Sequence, residues 1–99
     1  MKYAVLGTGM VGHTLASKLV SLGHEVRMGA RDADNEKAIA WAASHGDHAG
    51  QGTFAKVAGW ADRVIVAVSG AQIETVAEAV GDSARAGKTV IHLANPPDI

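Results

Sequence analysis

The sequence predicts an α/β protein: a doubly wound parallel sheet of about five strands, one of them very short, with helices on both faces. Three observations predict it. Short continuous apolar runs alternate along the chain with segments whose apolar residues recur every three to four positions, a β-α-β alternation. The runs are rich in Val, Ala, Leu and Ile, as strands buried on both faces are. Segments carrying Gly, Ser, Asn or Pro follow the carboxyl ends of the predicted strands, where open parallel sheets bind their ligands.

Each element has its own signal. Tyr3-Ala4-Val5-Leu6 is the first buried strand. Val11, Leu15, Leu19 and Leu22 then recur at helical spacing, and Gly23 stops the helix. Glu25-Val26-Arg27-Met28 is a second, more polar strand. Asp34 or Asn35 caps a second helix with Ile39, Ala42 and Ala43 on its inner face. Residues 45–52 are polar and glycine-rich, which predicts a loop with any third strand very short. Thr53 caps a brief helix carrying Phe54, Val57 and Ala58. Val64-Ile65-Val66-Ala67-Val68 is the clearest buried strand. Ile73, Val76, Ala77 and Val80 share one helical face. Thr89-Val90-Ile91-His92-Leu93 is the last strand, ended by Asn95-Pro96-Pro97 because proline cannot continue a central ladder. The crossovers joining such strands are right-handed.

Composition narrows the class. A length of 99 residues allows one domain, spanning residues 1–99. A chain this short buries only about 60–70% of the surface its unfolded form exposes, so the core is modest. The absence of cysteine excludes a disulfide framework, a thiolate metal site and a cysteine nucleophile. A net charge of −1 argues against a nucleic-acid partner, which calls for a basic stripe. No apolar run approaches the roughly 18–20 residues of a membrane span. The opening Met1-Lys2-Tyr3-Ala4-Val5-Leu6 meets glycine at once, unlike a signal peptide. A soluble, cytoplasmic protein with no membrane partner is the expectation.

The strongest motif is Gly7-Thr8-Gly9-Met10-Val11-Gly12, a G-x-G-x-x-G that follows a predicted strand and opens a predicted helix. Gly7 permits the tight turn, Gly9 lets the backbone approach a pyrophosphate, and Gly12 lets the helix pack close to the sheet. The helix start contributes unpaired N–H groups and a positive partial charge. An ordinary glycine-rich turn is the bland alternative; the context favours a dinucleotide in a Rossmann-type domain.

The end of the second strand selects among dinucleotides. An NAD site places Asp or Glu there for the ribose hydroxyls. This chain has Met28-Gly29-Ala30-Arg31-Asp32, and the position near Gly29 carries no carboxylate. Arg31 can pair with a 2′-phosphate, which points to NADP(H). Asp32 has three open roles: a salt bridge to Arg31, a cap for the next helix, or the ribose site itself. Lys37 is balanced between phosphate contact and an exposed helix face.

Other polar residues carry weaker signals. His13 follows the glycine loop and reads as a half-exposed helix residue, with phosphate contact as its alternative. His24 sits at a strand entrance away from the site, and His92 reads as a core histidine. His45 and His48 share a loop with Asp47, but no third metal ligand is evident. Ser69 lacks His or Asp support for nucleophilic catalysis and reads as a contact residue. Asn95 is balanced between a cofactor contact and a turn residue. Trp41 and Trp60 read as packing residues, and Glu74 and Glu78 as a solvated helix face. No catalytic acid, base or metal site is expected.

Four segments in order, Val5-Leu6-Gly7-Thr8-Gly9-Met10-Val11-Gly12, Gly23-His24-Glu25-Val26, Met28-Gly29-Ala30-Arg31-Asp32 and Ala94-Asn95-Pro96, resemble the F420-dependent NADP oxidoreductase family over nearly the whole chain. The resemblance implies an NADP-binding Rossmann domain, with hydride exchanged between the nicotinamide and the deazaflavin coenzyme F420 or another redox acceptor. It implies pyrophosphate contacts at Gly7, Thr8, Gly9, Met10 and Gly12, with Val11 of the same loop counted among the cofactor-binding residues, and a 2′-phosphate grip at Ala30 and Arg31. Ala30 replaces the family's usual Ser, which removes one hydroxyl donor and leaves more to Arg31. Val68, Ser69, Ala94, Asn95 and Pro96 would line the nicotinamide side. The hydride step itself needs no protein acid or base, because proximity and orientation of two redox rings suffice. Family members continue beyond the position of Pro97 with a part that shapes the second-substrate pocket and often a dimer interface. The expectation is therefore a nucleotide-binding domain lacking that C-terminal part, with a small-molecule redox substrate, and self-associating through an exposed last strand. The competing readings are a non-catalytic NADP-binding or redox-sensing module acting through a partner, and an interaction domain with a vestigial site.

Overall fold

A computed structural model describes residues 1–7, 10–32, 34–67, 76, 78, 81 and 89–92. The elements run β1 (Lys2–Leu6), α1 (Met10–Ser21), β2 (Glu25–Ala30), α2 (Glu36–His45), a short 3-10 turn (Gly46–His48), β3 (Ala49–Thr53), α3 (Phe54–Trp60), β4 (Arg63–Val66) and β5 (Thr89–His92). Val76, Glu78 and Gly81, between β4 and β5, are helical. The five strands form one sheet in the order β3-β2-β1-β4-β5, and every pairing is parallel. This is the predicted α/β architecture. Strand order reverses between β1 and β4, the switch point at which such sheets open a crevice.

Alternation along β1 divides the core between two faces. Ala4 and Leu6 pack with Phe54, Val57 and Ala58 of α3, with Val64 and Val66 of β4, and with Val76. Val5 faces the other way, into Ala16 of α1, Val26, Met28 and Ala30 of β2, and Ala38 and Trp41 of α2. Burial on both sides is why β1 and β4 read as unbroken apolar runs.

Helix ends follow local chemistry. α1 stops in a Schellman arrangement: the Gly23 N–H donates to the Val20 carbonyl at 3.0 Å and the His24 N–H to the Leu19 carbonyl at 3.2 Å. Gly23 takes φ 92°, which glycine adopts without penalty. Leu22 falls in this turn, not on the inner face of α1, and is 61% exposed. The closest packing of α1 comes instead from Gly12 and Ala16, one turn apart and both buried, while Val11, Leu15 and Leu19 are half-buried.

α2 is capped by Asn35, whose Oδ1 accepts from the Ala38 N–H at 3.0 Å. That cap sets the helix phase so that Ala38 and Trp41 are buried and Ala42 half-buried. Ile39 and Ala43, expected inside, are exposed, because the far larger Trp41 takes the buried stripe. Thr53 caps α3 as expected, its Oγ1 accepting from the Lys56 N–H at 3.3 Å. Phe54, Val57 and Ala58 are buried beneath it.

Residues 45–52, expected as a loop with any strand very short, are mostly regular structure. α2 continues to His45, and Ala49–Thr53 forms a full edge strand on β2. Gly50 and Gly52 give this strand no apolar signature, so it is made by pairing. Their bareness is used, since a Cβ on Gly50 would lie 3.2 Å from Cγ of Arg27. β2 itself extends two residues beyond Met28, to Ala30. No helix among the described residues is long and apolar enough to cross a membrane.

Candidate functional site

The carboxyl ends of the strands form a row through the register: Gly52 beside Gly29, Gly29 beside Leu6, Leu6 beside Val66, and Val66 beside His92. The ladder continues one step past this row. The Gly7 N–H donates to the Gly29 carbonyl at 2.9 Å, and the Ala67 N–H to the Leu6 carbonyl at 2.9 Å. The turns after β1 and β2 and the end of β4 are thereby set side by side at the switch point.

Gly7 has φ 131°, a conformation that side chains disfavour, and it turns the chain off β1 toward α1. Gly12 lies in the first turn of α1 directly over it. A Cβ at Gly12 would stand 2.7 Å from the Gly7 carbonyl oxygen and 3.6 Å from Cγ1 of Val5. Only a bare Cα lets the helix start this close to the strand end. The early N–H groups of a helix have no intrahelical partner. In α1 they begin at the edge of the sheet, with partial positive charge suited to an anion.

At the end of β2, Ala30 is 3% exposed and Arg31 is exposed. Among the described residues Arg31 has no ion-pair partner, so the bridge to Asp32 does not form. Asp32 does not cap α2 either; its backbone carbonyl accepts from the Asn35 N–H at 3.3 Å. Lys37 is exposed in the first turn of α2. Gly29 has a packing role that its neighbours in sequence do not announce. A Cβ there would come within 2.5 Å of Cδ2 of Leu6 and 2.8 Å of Cγ2 of Val57. Packing therefore keeps a carboxylate from this position.

The described part of the site thus holds Gly7, Gly12, Ala30 and Arg31 at one edge, with Met10 and Val11 in the first turn of α1 and Lys37 opening α2. Thr8, Gly9, Val68, Ser69, Ala94, Asn95 and Pro96 lie outside the described residues. The donor set fits a phosphorylated dinucleotide: a helix start for a pyrophosphate, a guanidinium without an ion-pair partner among the described residues for a further phosphate, and no acid at Gly29 or Ala30, the last residues of β2.

The histidines take other places. His24 stacks edge-on against Tyr3, with ring centroids 5.1 Å apart, at the opposite end of the sheet. His13 is exposed, with its ring centroid 6.2 Å from that of His45. His45 does not lie in a loop but ends α2, where it joins a network that sequence reasoning missed. The Trp41 indole N–H donates to Ser17 Oγ at 3.0 Å, and Ser17 Oγ is 3.0 Å from His45 Nε2. His45 Nδ1 is 2.8 Å from the Trp41 carbonyl oxygen, and the two rings stack at 5.0 Å. Trp41 and His45 stand four apart on one helix, a usable signal, but nothing in the sequence pointed across 24 residues to Ser17. A separate cleft of about 120 Å³ opens at the amino-terminal end of β2 and β3, lined by Glu25, Arg27, Asp47, His48 and Trp60. There the Arg27 guanidinium lies 4.2 Å from the ring centroid of the half-buried Trp60.

Residues 2–96 match the family described as NADP oxidoreductase, coenzyme F420-dependent. The chain belongs to the F420-dependent NADP oxidoreductase family. A solved structure of a protein designated an F420-dependent NADP reductase, from Arthrobacter sp. FB24, is 41% identical, with a TM-score of 0.80 over 97% of this chain. This chain spans 46% of that protein. The fold alone is shared with a pseudomurein peptide ligase type C from Methanothermus fervidus, at 22% identity and TM-score 0.68, covering 92% of this chain and 19% of that one. It is also shared with saccharopine dehydrogenase (L-Glu forming) from Saccharomyces cerevisiae, at 23% identity and TM-score 0.67, covering 97% of this chain and 22% of that one. No curated protein matches the chain.

Proposed function

We propose that this member of the F420-dependent NADP oxidoreductase family is an NADP(H)-binding unit for hydride exchange between the nicotinamide and deazaflavin F420 or a chemically similar acceptor. The observation that carries the reading is the glycine turn pressed under α1, 2.7 Å from Gly12's missing Cβ, in the same sheet edge as Arg31, which no described residue pairs with. In this reading residues 7–12 hold the pyrophosphate, Ala30 and Arg31 grip the 2′-phosphate, and Lys37 adds charge. Val68, Ser69, Ala94, Asn95 and Pro96 border the nicotinamide. NADPH supplies the hydride when bound; the chain binds the cofactor and orients it, and no side chain has to move a proton in that step.

The test is anaerobic oxidation of NADPH followed at the nicotinamide absorbance, with F420 or a flavin as acceptor. Turnover that disappears in Gly9→Val, with the fold retained, is the expected result. Tight NADP binding without turnover assigns the chain the role of a binding module that works through a partner. Unchanged NADP affinity in Gly9→Val would overturn the placement of the pyrophosphate.

A further inference from the structure

The Ser17, Trp41 and His45 network joins two helices that both begin at the cofactor edge. α1 starts over the glycine turn, and α2 starts four residues beyond Asp32, after the Arg31 turn. The bonding pattern is closed. A carbonyl can only accept, so His45 Nδ1 carries the proton shared with the Trp41 carbonyl. In the neutral ring His45 Nε2 then accepts from the Ser17 hydroxyl, and Ser17 accepts from the Trp41 indole N–H. Ser44 Oγ, which donates to the Trp41 carbonyl at 3.0 Å, also lies 3.0 Å from His45 Nδ1. Trp41 is 1% exposed, and Ser17 and His45 are half-buried.

An apolar seam between α1 and α2 would tolerate sliding. A directional three-membered network has one satisfied arrangement and leaves polar groups unpaired in others. Resting on the proposed NADP reading, we infer that Ser17, Trp41 and His45 are positioning residues: they hold the glycine-turn helix at a set distance from the Arg31 turn. A ligand with phosphates at both places needs that distance. One that occupies a single place does not.

The experiment compares two probes by calorimetry on the full chain. NADP⁺ spans both phosphate positions, whereas 2′-AMP reaches only the Arg31 turn. Ser17→Ala is expected to weaken NADP⁺ roughly five- to tenfold, as loss of a directional, half-buried bond does, with 2′-AMP changed less than about twofold. Ser17→Thr keeps the hydroxyl and restores NADP⁺ affinity. His45→Ala has the same effect as Ser17→Ala, and the double variant is no worse than either single one, as for members of one network. Should Ser17→Ala fold poorly, His45→Ala carries the comparison. Equal loss of both probes, wild-type affinity in both variants, or additive losses would each overturn the positioning role. Failure of the wild-type chain to bind either probe would instead overturn the NADP reading itself.

Discussion

At the scale of single residues, the proposed selectivity for NADP rests on Arg31. It is exposed just past β2, and no described carboxylate pairs with it. Arg31→Ala should weaken NADP⁺ by about 1–3 kcal/mol, the range for a hydrogen bond to a charged group, and leave NAD⁺ nearly unchanged. Equal weakening of both cofactors, read by calorimetry, would contradict the 2′-phosphate role. Gly29 acts through packing. Gly29→Ala puts a methyl 2.5 Å from Leu6 Cδ2 and 2.8 Å from Val57 Cγ2, and should cost about 1–3 kcal/mol in urea unfolding, as overpacked cores do. Gly7 and Gly12 were legible in the sequence because a tight turn and a close helix start leave a spacing signature. The need for glycine at position 29 was not, because the side chains that crowd it come from β1 and α3.

At the scale of elements, the strands that read most clearly are those buried on both faces. β1 and β4 lie in the middle of the sheet and show unbroken apolar runs. β3 was hidden because an edge strand containing Gly50 and Gly52 draws its stability from pairing with β2. The inner face of α2 was misjudged for a related reason: with Asn35 fixing the phase, the area of Trp41 outweighs that of Ile39. Asn35→Ala removes the Oδ1 acceptor for Ala38 and should cost about 0.5–2 kcal/mol, the usual worth of an N-cap. Thermal unfolding would measure it, and an unchanged midpoint would show that the cap contributes nothing. Gly23→Ala forces a side chain into φ 92° at the end of α1 and should destabilise by about 1 kcal/mol.

For the whole molecule, the sheet order β3-β2-β1-β4-β5 concentrates the ends of the central strands at one edge. Amides of β1, held between β2 and β4 and buried in both core clusters, should exchange with solvent far more slowly than those of the edge strand β3. Comparable protection in the two would contradict a core centred on β1. The architecture and the glycine edge were readable because they rest on local alternation and short motifs. The tie between α1 and α2 was not, because it depends on contacts across 24 and 28 residues of sequence. The proposed site at this edge takes NADP in preference to NAD. Calorimetric titration of NADP⁺ and NAD⁺ into the wild-type chain measures that preference. Saturable NADP⁺ binding at least tenfold tighter than NAD⁺, about 1.4 kcal/mol, is expected. Equal affinities, or tighter NAD⁺ binding, would contradict it.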